Sequence, residues 1–367
     1  MAPSSLSANE LNTGRVTVRL GAVADNYRLL RKRSAQQCAG VVKANAYGLG
    51  LEPIAHTLLR AGCDTFCVAT LEEGLALREV AATPRILLLG GVEAANAHHA
   101  AAAQLEPVIN SALAAQAWQP YRTQPATLHV DTGMHRLGMP PAEVAQVDWA
   151  GYKLTTLMTH LACADDPEHS ANAAQLQRFD SICATLRATL PELTTSIANS
   201  AGCFLAPAYH GDLTRPGIGL YGGHPRNGVQ DNPMTCAVSV EGRVMQLRTL
   251  PADTQLGYGG TYQAPTERTI AVVGMGYADG IPRLISNRGE AVINAARVPI
   301  VGRVSMDLVQ LDVTQLQHSK SQAVSVGDWA EFFGPALGVD EVAQWAETIA
   351  LEVLCGLGRR AHWAYID

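Results

Sequence analysis

The sequence predicts an α/β chain: a (β/α)8 barrel over residues 14–237 and a mainly β domain over 238–367, behind a flexible tail at 1–13. Three observations carry this. Short apolar runs alternate with amphipathic stretches at a spacing of about 30 residues, the rhythm of parallel strands joined by crossover helices. Those runs are rich in Val, Ile and Leu and end on polar residues, as expected of barrel strands buried on both faces with chemistry at their C-terminal ends. After about residue 237 the helical period fades, and short strands with turns replace it.

Taken in order, "AGVVKAN" reads as a strand and "LEPIAHTLLRAG" as the helix after it. "TFCVAT" and "LEEGLALREVA" repeat the unit, and "RILLLGG", "EPVIN", "ATLHVDTG" and "KLTTLMTH" supply further strands. The helical "ANAAQLQRFDSICATLRATL", then "TTSIANSAG" and "RPGIGLYGG", complete eight strand candidates. Their polar ends are Lys43, Thr70, Arg136, His160, Asn199 with Ser200, and Arg215. In the second region "AVSVEGRVMQLRTL", "TERTIAVVGMG" and "EAVINAARVPIVGRVSMDLVQLDV" read as strands, as do the alternating "VQLDV" and "VSVGD". "LGVDEVAQWAETIALEVLCGL" reads as a helical insertion. His98 and His99, in an alanine-rich stretch, are adjacent, so they cannot share one helical face as metal ligands do and should face solvent.

Composition narrows the function. Of 367 residues 47% are hydrophobic and 16% charged, which describes a well-packed globular protein. The formal net charge of -6, with no run of Lys or Arg, argues against nucleic acid and anionic membranes as partners and leaves small-molecule work. Eight cysteines are scattered rather than framed, and Cys63 with Cys67 lacks the spacing of a redox or zinc pair, so reduced core cysteines and no metal are expected. The first residues, "MAPSSLSANELNTG", lack a basic and an apolar segment, and no apolar run reaches 18 residues, so a cytoplasmic location is expected.

Two stretches carry chemistry. In "VVKANAYGLG", residues 41–50, a lysine ends an apolar run beside small residues, a tyrosine and glycines. A desolvated lysine has a lowered pKa and a usable amine, whereas an ordinary one snorkels to solvent. In "LTRPGIGLYGG" the glycines let the N–H groups of Gly217 and Ile218 approach an anion closely, at the last loops where barrels commonly hold phosphate. Ser200 in "ANSAG" offers a hydroxyl from the preceding strand.

"VVKANAYGLG", "HVDTGMHRLG", "MTHLACAD", "SIANSAG", "LTRPGIGLYGG", "LGYGGTY", "GYADGIPR" and "VGRVSMDLVQLDV" occur in the order and at the intervals that resemble alanine racemases, pyridoxal-phosphate enzymes of fold type III. The resemblance covers residues 16–355. It implies a cofactor-binding barrel, a C-terminal β domain and a head-to-tail homodimer with active sites shared between subunits. It implies further that Lys43 anchors the cofactor covalently, that Tyr47, Ser200, Gly217 and Ile218 hold its phosphate, and that Arg215 faces its pyridine nitrogen. Lys43 and Tyr258 become the two bases, one on each face of the substrate Cα, with Tyr258 reaching in from the other subunit. A tyrosine hydroxyl ordinarily titrates near ~10, so such a base needs about 4 kcal/mol of selective anion stabilisation, which His160 is expected to relay from Arg215. Arg136 and the Met306 main chain are implied to bind the substrate carboxylate, with Asp307 orienting the Met306 loop. Tyr277 is implied to wall an inner entrance, and Asp165, Arg283 and Arg303 to line an outer one.

Two positions depart from the family. His129 stands where relatives often carry a carbamylated lysine that pulls on the carboxylate-binding arginine, so Arg136 must be held otherwise, by chloride or a neutral partner. Leu351 replaces a tyrosine that bonds the phosphate and crowds the substrate, which suggests tolerance of larger substrates, serine above all. The expected activity is interconversion of L- and D-alanine for peptidoglycan, or alternatively for L-alanine breakdown. A broader amino-acid racemase, a non-catalytic carrier of the same cofactor and an amino-acid decarboxylase are the rival readings. Carriers lack a second domain, and a decarboxylase would want an acidic partner where Arg215 stands.

Overall fold

The computed structural model describes residues 12–34, 36–226, 231–319 and 321–367, so most of the tail expected at 1–13 lies outside the described residues. The chain divides into two compact units, one formed by Val23–Thr235 and the other by the described residues up to Ala22 with Cys236–Asp367.

Seven parallel strands of the first unit lie in sequence order: Gly40–Val41, Thr65–Val68, Arg85–Leu88, Glu106–Ile109, Pro125–His129, Lys153–Met158 and Thr194–Ser196. The eighth, Leu213–Thr214, is short but closes the ring through its neighbours' backbone. Gln37, Ala39 and Val41 donate their N–H groups to the carbonyls of Asp212, Thr214 and Pro216 at 2.9, 2.8 and 3.1 Å. On its other side Asp212 and Arg215 donate to the carbonyls of Thr195 and Ala198, both at 2.8 Å. The strands read as apolar runs because both faces are covered: Phe66, Val68, Ile86, Leu88, Ile109, Leu128 and Leu157 are fully buried or nearly so.

The interior is not wholly apolar. Arg85 and Glu106, each the first residue of its strand, form a fork-like pair at 2.7 and 2.6 Å. Thr127 and Thr155 donate to the same carboxylate at 2.6 Å, and Arg85 also donates to Thr156 at 2.7 Å. Burial alone would raise the Glu106 pKa, but Arg85 and the threonine hydroxyls hold it below the usual carboxylate range. This cluster sits at the strands' N-terminal ends, where conservation of structure rather than chemistry is expected.

The second unit corrects the boundary expected at residue 14. Gly14–Arg19 is not a barrel strand. It pairs antiparallel with Val238–Leu250 and parallel with His362–Ile366. Its alternation, with Val16 and Val18 buried and the residues between them half-exposed, is that of a strand with one covered face. Val238–Leu250 is the spine of the sheet, pairing also with Trp329–Phe333 and Arg268–Val273. "VQLDV" does form a strand, Val309–Asp312, but "VSVGD" does not: Asp328 turns back to accept the Ser325 N–H at 2.9 Å. The helical insertion appears as Val339–Trp345 and Ala350–Cys355. All eight cysteines are free and five are buried, but Cys163 and Cys236 are half-buried and Cys355 is exposed. No helix among the described residues is long and apolar enough to cross a membrane.

Because the Arg85–Glu106 pair is enclosed, removing one partner strands the other charge. Glu106→Ala is expected to cost about 3–5 kcal/mol, read as a fall in thermal midpoint and in folded yield, while Thr155→Ala costs about 1 kcal/mol.

Candidate functional site

The C-terminal ends of the barrel strands gather the predicted residues. Lys43 is half-buried two positions beyond Gly40–Val41. The next four residues, Ala44, Asn45, Ala46 and Tyr47, all hold φ between 52° and 56°, a left-handed turn that the apolar run gave no hint of. The turn carries Tyr47 inward, where its ring packs 4.8 Å from that of Tyr221, whose hydroxyl donates to the Val41 carbonyl at 2.8 Å.

Closure of the barrel brings the glycine-rich segment to the same place. Ser200 Oγ accepts the N–H groups of Gly217 and Gly219 at 2.8 and 3.1 Å. A Cβ at Gly217 would lie 2.1 Å from the Tyr47 hydroxyl, so no other residue permits this approach. Ile218 opens the short helical turn Ile218–Tyr221. Two hydroxyls and a run of backbone amides thus converge at the rim on which Lys43 stands, a donor set suited to a phosphate.

Behind them lies Arg215, 5% exposed. Its guanidinium donates to neutral acceptors: Ser196 Oγ, the Thr159 carbonyl at 2.8 Å, the Ile197 carbonyl at 3.4 Å and His160 Nδ1 at 3.5 Å. Burial lowers its pKa to about 10, so it keeps its charge at neutral pH. That charge adds to the effect of burial on the two histidines nearby. Burial first, then Arg215 and Arg136, lowers His160 to about 3. Burial and Arg215 likewise lower His129 to about 4.

His129, the last residue of its strand, has a partner that sequence reasoning missed. Asn110 donates through Nδ2 to the carbonyls of Leu89 and Val108 at 3.0 and 2.9 Å, which fixes its Oδ1 as an acceptor facing His129 Nδ1 at 2.7 Å. His129 therefore carries its proton on Nδ1 and leaves Nε2 as an acceptor. Arg136 is exposed on the loop after this strand. Asp131 shapes that loop by accepting the N–H groups of Gly133, Met134 and His135 at 2.8, 2.9 and 3.1 Å. Although burial raises the Asp131 pKa, these bonds pull it below the usual range. Asp165 is half-buried in the loop after Lys153–Met158.

The β unit holds the remaining candidates on connected loops. Tyr258 caps a hairpin made by Gln255–Leu256 and Tyr262–Gln263, where Gly257, Gly259 and Gly260 take positive φ, and it is 72% exposed. Tyr277 and Ala278 donate their N–H groups to the carbonyls of Ser305 and Met306, both at 3.0 Å, so the Tyr277 and Met306 loops move as one. Asp307 is bonded to a residue not foreseen: Arg360 donates to Asp307 at 2.6 Å and to both oxygens of buried Asp279 at 3.0 and 2.9 Å. Arg283 and Arg303 line one open concavity of about 310 Å3 with Thr261, Asn287 and Arg288. Leu351 lies half-buried on the helix Ala350–Cys355.

The two depressed histidines set a pH dependence. In the unfolded chain both take up protons near pH 6.5, whereas folded His129 resists until about 4 and His160 until about 3. Unfolding thus absorbs protons in that window, and stability falls as pH drops from about 6.5 to about 4. Thermal midpoints measured across this window are expected to fall less steeply in His129→Gln than in the parent protein.

Family models describe both units. The N-terminal domain of alanine racemase matches residues 18–225 and the C-terminal domain matches residues 237–365. An alanine racemase of Rhodospirillum rubrum is 42% identical over 95% of this chain and 94% of its own length. A catabolic alanine racemase of Agrobacterium fabrum is 41% identical over 97% of this chain and 92% of its own length. Among solved structures, an alanine racemase from Bartonella henselae with covalently bound pyridoxal phosphate aligns with a TM-score of 0.90 and 36% identity, covering 96% of this chain and 99% of that one. A biosynthetic alanine racemase from Pseudomonas aeruginosa aligns at 0.89 with 33% identity, covering 97% of this chain and 100% of that one. Matched along both units and nearly end to end, the chain belongs to the alanine racemase family.

Proposed function

We propose that the chain interconverts L- and D-alanine with pyridoxal phosphate, using Lys43 and Tyr258 as bases on opposite faces of the substrate Cα. The observation that carries this is the convergence at one barrel rim of Lys43, the cradle of Tyr47, Ser200 and the amides around Gly217, and a buried Arg215 bonded only to neutral acceptors within the described residues. The cofactor, when bound, draws electrons from the substrate and makes its Cα proton acidic enough for a side chain to take.

Every other step belongs to the protein. Arg136 and the main-chain N–H of Met306 of the partner subunit hold the carboxylate and so orient the Cα–H bond. Lys43 removes or returns the proton on one face, and Tyr258 of the partner subunit does so on the other. Arg215 would face the pyridine nitrogen of the bound cofactor and, being unable to surrender its proton, would disfavour storage of electrons in the ring and with it transamination. Arg215 also donates to His160 Nδ1, so the neutral imidazole keeps its proton on Nε2 and can pass a hydrogen bond on to a tyrosinate. The bond to Asn110 leaves His129 Nε2 as a neutral acceptor, which on this reading would serve Arg136 where relatives often carry a carbamylated lysine. The exposed loops of Tyr258, Tyr277 and Met306 fit a site completed by a second copy of the chain. The second unit disfavours a bare cofactor carrier, and Arg215 disfavours a decarboxylase. A cytoplasmic role in supplying D-alanine for peptidoglycan fits this reading; of two Agrobacterium fabrum relatives, one is named catabolic and one biosynthetic.

The test is chiral analysis of alanine together with solvent-deuterium exchange at Cα. Tyr258→Phe is expected to lose racemisation by about 10²–10⁴-fold. It should still bind cofactor and exchange the Cα proton of one enantiomer only. Racemisation at the parent rate in this variant excludes the two-base assignment.

Leu351 sets a second expectation. With no hydroxyl crowding the pocket, the ratio of kcat/KM for serine to that for alanine is expected to be about tenfold higher than in Leu351→Tyr. Equal ratios in the two proteins rule out Leu351 as the cause.

A further inference from the structure

The turn after Lys43 is the longest run of left-handed non-glycine backbone among the described residues. Crowding of Cβ against the following carbonyl costs each such residue about 1–2 kcal/mol, so these four positions hold the conformation only because neighbours impose it. At the downstream end Asn45 Oδ1 accepts the Leu51 N–H at 2.9 Å. Tyr47 is fixed by its packing on Tyr221. The upstream end is held by a residue of the next βα unit.

That residue is Glu73, in the first turn of the helix Leu71–Val80. Its Oε1 accepts the Ala44 N–H at 2.6 Å, and its Oε2 accepts the N–H groups of Ala69 and Thr70 at 2.7 and 3.3 Å. Thr70 Oγ1 in turn accepts the Glu73 N–H at 3.3 Å, which completes a capping box. A capping-box glutamate ordinarily satisfies the N–H of its own cap residue. Here the same carboxylate reaches a second strand's loop through its shortest contact, as charge-assisted bonds do.

The Ala44 N–H belongs to the peptide plane that starts at the Lys43 carbonyl carbon. Holding it fixes rotation about the Lys43 Cα–C bond. On the other side of Lys43, the Val42 N–H donates to the Cys67 carbonyl at 2.9 Å. We propose that Glu73 is a positioning residue for Lys43: its carboxylate sets the direction in which the lysine side chain leaves the barrel rim, and thereby the rate at which the amine reaches an aldehyde and the reacting proton. This deepens the function proposed above and rests on Lys43 being the cofactor anchor.

Glu73→Gln preserves size but turns one of the two accepting oxygens into a donor facing a donor. Thr70→Ala removes the capping hydroxyl and leaves all three N–H contacts to the carboxylate. Cofactor-free protein of each kind is mixed with pyridoxal phosphate. Condensation, in which the Lys43 amine and the aldehyde form a C=N bond and release one water, is trapped by borohydride and located by mass spectrometry. Thermal midpoint, kcat and KM for L-alanine are measured alongside.

Glu73→Gln is expected to slow trapping at Lys43 and to lower kcat by about tenfold or more, with KM within about threefold, since displacements of an ångström carry such factors. Thr70→Ala is expected to lower the thermal midpoint while trapping and kcat stay within about twofold, because a lost cap acts on stability. Parent rates in Glu73→Gln, or equal slowing in Thr70→Ala, overturn the positioning role. If Glu73→Gln does not fold, Glu73→Asp carries the same test: its carboxylate is one methylene too short to span Ala44 and Ala69, and parent rates there overturn the proposal equally. A parent protein that is never trapped at Lys43 overturns the anchor reading itself, an outcome separable from failure of Glu73 alone.

Discussion

The site exists because the barrel closes. Residues 212–216 receive N–H groups from Gln37, Ala39 and Val41 and donate their own to Thr195 and Ala198. Those few backbone bonds bring the strand that leads into Lys43 beside the segment that carries Arg215 and Gly217. The regular part of the closing strand is only Leu213–Thr214, and the irregularity is useful: the backbone can turn sharply at Pro216 and Gly217 and present amides where a longer strand would have spent them on a ladder. The Tyr47 hydroxyl then fills the space a side chain at position 217 would need.

Arg215 gives that rim its electrostatic character. A buried guanidinium with a carboxylate partner would be locally neutral, as Arg85 is beside Glu106 at the opposite ends of the strands. Arg215 instead spends its donors on hydroxyl, carbonyl and imidazole acceptors, so its field adds to burial in keeping His160 and His129 uncharged. The contrast separates the two ends of one barrel by purpose. Paired charge at the N-terminal ends holds strands together. Uncompensated charge at the C-terminal ends suits a group with an acceptor atom, and Arg215 sets the tautomer of His160 as Asn110 sets that of His129.

Much of this was legible in the sequence. Lys43, His160, Ser200 and Arg215 stand where apolar runs end, and barrel strands place such residues on a single rim. Gly14–Arg19 was misassigned because proximity in sequence favoured the barrel, whereas its alternation matched a sheet with one covered face; partner choice over 220 residues leaves no local mark. The left-handed turn was hidden as well, since Ala44 and Ala46 have no intrinsic reason to adopt it. Glu73, Asn110 and Arg360 went unnoticed for a common cause. Each matters through a bond to a distant loop, and a glutamate in "LEEGLALREVA" looks like any helix-start acid until the Ala44 N–H is seen against it.

The same logic of distant bracing explains how exposed residues of the β unit can be both accessible and ordered. Tyr258, Met306 and Tyr277 are 72%, 52% and 43% exposed, and all three lie on loops of the β unit. Yet their loops are not loose. Gly276 leaves room for the Ser305 and Met306 carbonyls, where a Cβ would meet either at 2.4 Å, and Arg360 ties Asp279 to Asp307 across the two turns. Ordering an exposed loop costs conformational entropy that solvent contact alone does not return. A surface held in shape before anything covers it loses less freedom on binding than loops that must fold as they bind. Arg360 braces the turn that carries Met306 much as Glu73 braces the turn after Lys43, each through bonds to a loop far away in sequence.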